Sequence, residues 1–251
     1  MVKYSSRPAL TIERLGYEAR ERVLGSRLLP EALRDRYADV SRRLLERIEA
    51  VFAETGPVRT LRLHGDCQLG NLLWDEHGPV FVDLDDCMSG PAIQDLWMLL
   101  SGSPDEQRRQ WSELLEGYQQ FADFDFRELR LIEPLRALRM LHHAAWIAQR
   151  WDDPAFPRAF PWFAERRFWE NHVTDLLEQL AAIDSLDGGP VLGLFANGNM
   201  TPIYKPLVAS PPPGAGGPEA RCEEADRGDQ PTLAEMTAKA IELLDNPNIR
   251  K

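Results

Sequence analysis

Apolar positions recur at intervals of three and four over two stretches near the start of the chain. In residues 11–24, Ile12, Leu15, Ala19 and Val23 share one stripe, and Thr11 is placed to cap the helix they predict. Pro30 opens a second, longer helix to about Thr55. There Leu33, Tyr37, Val40, Leu44, Ile48 and Phe52 keep the spacing and leave Arg and Glu outside. Gly56-Pro57 ends it, and the period shortens. Thr60-Leu61-Arg62-Leu63 and Val80-Phe81-Val82 read as strands, and the turn signal Asp75-Glu76-His77-Gly78 is expected to fold the two together. Ser89-Gly90-Pro91 reads as a break before an apolar helix, Ala92 to Leu100. Further helices are expected at about 104–121, 126–150 and 164–183. The aromatic, Pro-punctuated run from Trp151 to Trp162 reads as a loop packed on the helices, with a substrate surface as the alternative.

Composition narrows the class without fixing it. At 251 residues, 43% hydrophobic and 27% charged, the chain has the make-up of a soluble globular protein of one or two domains. No apolar run approaches the eighteen or so residues of a membrane span, and MVKYSSRPAL lacks a signal-peptide core, so a cytoplasmic protein without a membrane partner is expected. A net charge of −11 argues against broad nucleic-acid binding. Three cysteines without paired zinc spacing imply reduced thiols. For Cys67 a small buried thiol is the commoner reading and a redox role the other. Residues 205–231 hold six prolines and four glycines and are expected to be a disordered linker. The capping signature Thr232-Leu-Ala-Glu235 then opens a short amphipathic helix, 232–246.

The candidate chemistry sits between Leu63 and Asp85, in LHGDCQLGNLLWDEHGPVFVDLD. Asp66 follows His-Gly, Asn71 comes five residues later, and Asp83 closes an apolar strand. Phosphoryl transfer by kinases uses these types at this spacing: an Asp for the acceptor's proton, then an Asn and a strand-end Asp for Mg²⁺. Hard oxygen donors at strand ends suit that ion. The plain alternative is that Asp and Asn at turns cap backbone groups. Two readings also stand for Asp85 and Asp86, help at a metal site or solvated turn carboxylates. Asp95, inside an apolar helix, needs a partner, because a lone buried carboxylate is costly. His142 and His143 have no ligand spacing to a second pair and read as helix-surface or core side chains.

The same stretch resembles the motif His-Gly-Asp-x-His-x-x-Asn followed by Ile/Val-Asp-x-Asp of the aminoglycoside phosphotransferase and choline kinase superfamily. Downstream, VDLDDCMSGPAIQDLWMLLSG and LIEPLRALRMLHHAAWIAQRWDDPAFPRAFPWF resemble the bacterial stress response kinase A family, over about residues 8–204. The resemblance implies an α+β, mostly helical fold: the C-terminal lobe of a protein-kinase-like fold with a small catalytic β-hairpin. It would occupy residues 1–204, with the catalytic loop and hairpin at 60–86 and a helical subdomain at 91–184. By resemblance, Asp66 is the catalytic base, and Asn71 and Asp83 hold Mg²⁺ on the phosphates of ATP. His64 is structural, and Asp95 orients the catalytic loop through its backbone. Gln68 stands where many members have His. Only Lys3 precedes the motif among lysines, and no Gly-x-Gly-x-x-Gly occurs, so the N-terminal lobe with its nucleotide contacts is expected to be missing. The implied activity is an ATP- and Mg²⁺-dependent Ser/Thr protein kinase with a protein substrate. The alternatives are a non-catalytic kinase-lobe remnant that binds partners and a small-molecule kinase of the aminoglycoside or choline type.

Overall fold

Thr11 Oγ1 accepts the N–H of Arg14 at 3.2 Å, so the first helical segment starts where the pattern places it. The computed structural model describes residues 7–76 and 78–185. His77, the linker expected at 205–231, the helix expected at 232–246 and the end of the domain expected at 1–204 lie outside the described residues. A π-turn, Glu13–Tyr17, leads into α1, Glu18–Leu24. Gly16 belongs here because a Cβ would overlap Leu45 and press on Leu138. The long helix α2, Glu31–Thr55, follows Pro30 and stops at Gly56, whose φ is 72°.

The strand pairing differs from the expectation. Leu61–Leu63 (β1) does not pair with the strand around Val80. Between them Leu72–Asp75 forms β2, which turns back directly onto Gly78–Phe81 (β3), aligning Leu73 with Val80 and Trp74 with Pro79. The nearer partner wins, since a short loop costs less entropy to close than a long one. β1 instead pairs antiparallel with Met88–Gly90 (β4), in the register Leu61 to Gly90 and Leu63 to Met88. The Ser89-Gly90 break is therefore a strand, and Ser89 also exchanges backbone hydrogen bonds with Pro8 and Leu10.

After Pro91 come a short helix α3, Ile93–Leu96, and a 3₁₀ turn, Trp97–Leu99. The next helix, α4, spans Pro104–Gln119 behind a capping box between Ser103 and Glu106. A 3₁₀ stretch, Phe126–Leu131, precedes α5, Ile132–Gln149. The aromatic run is not wholly a loop: it contains α6, Ala155–Ala159, and a 3₁₀ turn, Pro161–Ala164. Helix α7, Arg166–Asp184, ends the described chain.

These elements fall into two compact units. In the first, which includes residues 7–67, Asp83–Leu99 and 125–185, α2 packs along α7, α1 along α5, and α5 against α7. Its core holds Tyr37, Leu44, Ile48, Leu135, Leu138, Phe163, Trp169 and Leu176, all fully or nearly fully buried. The second unit includes the β2–β3 hairpin, within Gln68–Val82, and Leu100–Phe124 with α4. There Trp111 and Tyr118 meet Phe124 edge-on, with ring centroids 5.4 and 5.9 Å apart. The result is a mostly helical α+β fold with two small antiparallel ladders. Among the described residues, no helix is long and apolar enough to cross a membrane.

Candidate active site

The loop that carries Asp66 leaves β1 at Leu63 and is fixed through its backbone. Asp95, on α3, accepts the N–H of His64 at 2.6 Å with Oδ2 and the N–H of Gly65 at 2.9 Å with Oδ1. The neighbouring side chain grips the other end of the same residue, Gln94 Nε2 donating to the Gly65 carbonyl at 3.3 Å. Gly65 has φ 86°, and a Cβ there would overlap the carbonyl oxygen of Asp86, so a residue with a side chain does not fit this crossing. His64 Nδ1 accepts the N–H of Asp66 at 3.3 Å, which places the imidazole inside the turn. Buried Glu128 holds α3 in turn: its carboxylate accepts the N–H of Ile93 at 3.0 Å at the start of that helix. A chain of contacts thus runs from Glu128 through α3 and Asp95 to the residue preceding Asp66.

The electrostatics follow from this crowding. Burial pushes the Asp95 carboxyl above its ordinary range, and the N–H groups of Gly65 and His64 pull it part of the way back. Glu128 is likewise raised, first by burial, against the N–H of Ile93. Asp66 forms an ion pair with Arg139 of α5 at 2.5 Å, the two side chains being 14% and 26% exposed. Asp86 is exposed by area, yet crowding by protein atoms and then the charges of Asp66 and Asp83 push its carboxyl up, against Arg139 and Arg14. Cys67 is buried, and burial followed by the charges of Asp95 and Asp66 drives its thiol up, so it stays protonated.

Asp83 lies two residues beyond β3 with φ 61° and ψ 59°, the one non-glycine residue with positive φ among those described. Left-handed backbone at a side-chain-bearing residue costs about 1–2 kcal/mol, and strain of this kind concentrates at functional sites. The conformation directs Leu84–Asp86 into a 3₁₀ turn. Asn71 belongs to the second unit, at the end of the 3₁₀ turn Leu69–Asn71. Its N–H donates to the carbonyl of Gln68 and its own carbonyl accepts from Val82, so the two ends of the hairpin are joined beside it.

Of the residues expected at the site, Asp66, His64 and Asp95 are brought together, and Asp83 acts electrostatically with Asp66 on Asp86. Asn71 is placed within its own unit. Among the described residues no three His, Cys, Asp or Glu side chains converge as a metal cage. For a hard cation such as Mg²⁺ the fit lies in charge: after burial, Asp66 and then Asp83 push the Asp86 carboxyl up, and a bound cation would relieve that share. Sequence reading missed Glu128, Gln94 and Arg139. Arg139 left a signal, lying one turn after buried Leu135 in a helix whose apolar period it interrupts.

Residues 5–132 match the phosphotransferase enzyme family. The chain is also similar to stress response kinase A of Escherichia coli (strain K12), 43% identical over 173 residues, or 69% of this chain and 52% of that protein. The serine/threonine protein kinase RdoA of Salmonella typhimurium (strain LT2) is 42% identical over 176 residues, 70% of this chain and 53% of that one. Stress response kinase A of Shigella flexneri is 42% identical over 173 residues, covering 69% and 52%. The chain therefore spans about half the length of the curated relatives it matches. The match reaches over just more than half of the chain, and the protein belongs to the phosphotransferase enzyme family.

Proposed function

We propose that this chain carries the acceptor-activating and metal-binding residues of an ATP- and Mg²⁺-dependent phosphotransferase acting on Ser/Thr hydroxyls of proteins. The observation that carries the reading is the clamped loop. Asp66 follows a backbone turn held by the two oxygens of Asp95, so the main chain from which its side chain projects is fixed before any substrate arrives. In the reaction, the acceptor's hydroxyl proton passes to Asp66 as the acceptor oxygen bonds the γ-phosphorus. The bond from that phosphorus to the β-bridging oxygen breaks, and ADP leaves with the electron pair. Asp83 would hold Mg²⁺, which would offset the negative charge of the phosphates, and Asn71 is the second ligand that the resemblance implies. His64 keeps the turn closed, and Asp95 positions the loop. A protein acceptor is preferred over a small molecule because the relative from Salmonella typhimurium is named a serine/threonine protein kinase.

One observation favours a second, partner-binding reading: the hairpin and the 3₁₀ turn before it expose Leu69, Leu73, Trp74 and Val80, with Leu73 54% exposed. A single experiment separates the two. Calorimetry with Mg²⁺-ATP is run on the wild-type chain, Asp83→Asn and Asp66→Ala, beside transfer of labelled phosphate to a protein acceptor. The enzyme reading expects Asp83→Asn to weaken nucleotide binding by about tenfold or more, since losing one charged ligand costs at least 1.4 kcal/mol or so. Asp66→Ala keeps binding and loses transfer by about 10²–10⁴-fold. Wild-type behaviour of both variants sinks the assignment.

A further inference from the structure

The ion pair between Arg139 and Asp66 does more than link α5 to the loop. The loop does not need it to hold its shape, because the backbone around Gly65 is already tied at both ends by Asp95 and Gln94. Nor does Arg139 share the contacts of the arginine before it. Arg136 pairs with Glu133 at 3.3 Å and lies over the Trp97 ring at 5.2 Å. Arg139 reaches instead to the carboxylate of Asp66, and its charge is also felt by Asp86 and His143. His143, one turn further along α5, is held down to about 4, so it is neutral near pH 7 and adds no competing charge. Arg14 also acts on Asp86, His64 lies against the N–H of Asp66, and His142, beside His143 on α5, is likewise held down to about 4.

We propose that Arg139 is the positioning residue of the phosphoryl-transfer base: it holds the Asp66 carboxylate in the orientation that receives the acceptor hydroxyl. The inference rests on the phosphotransferase reading above. Its physical basis is the partial removal of the pair from water. An exposed ion pair contributes little, whereas two charges largely screened from solvent attract strongly enough to hold one rotamer. Guanidinium suits the task because it cannot take up the acceptor's proton, which is left to Asp66. A carboxylate has about four lone-pair directions, so an arginine on Oδ1 is compatible with a hydroxyl donating to the same group.

The test uses the full chain with Arg139→Met, which keeps side-chain length without charge, and Arg139→Lys, which keeps charge without the planar fork. Steady-state transfer from Mg²⁺-ATP to a protein acceptor gives kcat and the KM for ATP, and thermal unfolding is measured on the same samples. The expected result is a kcat lower by about 10²-fold in Arg139→Met, the scale of effect from misplacing a reacting group by about 1 Å, with the KM for ATP within about threefold. Arg139→Lys recovers about tenfold of that loss. In an Asp66→Asn background Arg139→Met has no further effect, because the two act as a unit. A kcat within about threefold of wild type while Asp66→Asn is inactive overturns the inference and leaves the phosphotransferase reading standing. A loss of transfer matched by an equal loss of folded protein, in both variants, also overturns it, since the pair is then only structural. A wild-type chain without Asp66-dependent transfer removes the underlying reading, and this one with it.

Discussion

Asp95 is the residue on which the site's geometry turns, and two opposing effects meet there. As a carboxylate crowded by protein atoms it carries a desolvation cost, visible in the upward push on its carboxyl. Against that, it satisfies two backbone N–H groups that have no water to turn to. Asn at this position avoids the charge but presents an N–H₂ to one of those donors. A buried donor left unsatisfied costs about 1–3 kcal/mol, and it sets the expected sign against the desolvation relieved by removing the charge. Asp95→Asn is therefore expected to lower stability by about that amount, read as a shifted urea midpoint with unchanged slope. An unchanged midpoint means that the clamp contributes nothing to folding. Sequence reasoning found Asp95 because a carboxylate in an apolar helix demands a partner. It could not find Glu128, whose burial is created by the 3₁₀ stretch Phe126–Leu131 meeting the start of α3.

Among the elements, α2 and α7 show how far hydrophobic period reaches and where it stops. The stripe of α2 was legible at its full length from Pro30 to Thr55, because twenty-five residues give many repeats of one period. Strand pairing was not legible, since three- and four-residue strands such as β1 and β2 carry too few positions to specify a partner. The helix pair also buries an imidazole that no pattern announces. His172 of α7 is stacked between Tyr37 of α2 and Phe168, with centroids 6.0 and 5.6 Å away. Burial holds it down to about 4, below the ordinary value near 6.5. Between those two values the unfolded chain binds a proton that the folded one refuses, so this residue's contribution to stability falls as the pH drops from about 6.5 towards 4. The carboxyls of Asp95 and Glu128 are raised and act in the opposite sense, so the informative quantity is a difference. His172→Phe keeps a stacked ring and removes the titration. Its stability loss between pH 7 and pH 4.5 is expected to be smaller than the wild type's by about 2–3 kcal/mol, measured by urea unfolding at the two values. Equal losses in the two proteins contradict the assignment.

For the molecule as a whole, stability resides in buried rings and aliphatic side chains rather than in its many ion pairs. Arg47–Asp184 and Arg27–Asp152 join segments far apart in sequence, yet both are substantially exposed. Pairs of this kind are worth about 0–1 kcal/mol. Phe163, by contrast, is fully buried amid Trp151, Trp162, Phe168 and Trp169. Phe163→Ala is expected to cost about 3–5 kcal/mol and Arg47→Ala less than about 1 kcal/mol, compared by denaturant unfolding of the two variants. Similar costs would reverse this ranking.

The grip on the candidate loop has a consequence for sequence drift. Asp95 and Gln94 hold main-chain atoms, an N–H or a carbonyl that almost any residue type supplies. The grip of Asp95 at position 64 can thus outlast a change in the side chain there, even one that loses the imidazole's contact with Asp66, with proline the one residue that removes the donor outright. A lineage could lose its chemistry at Asp66 and still keep the geometry that once served it. Retained shape is consequently a poor witness to retained activity in such proteins, and the carboxylates themselves must be asked.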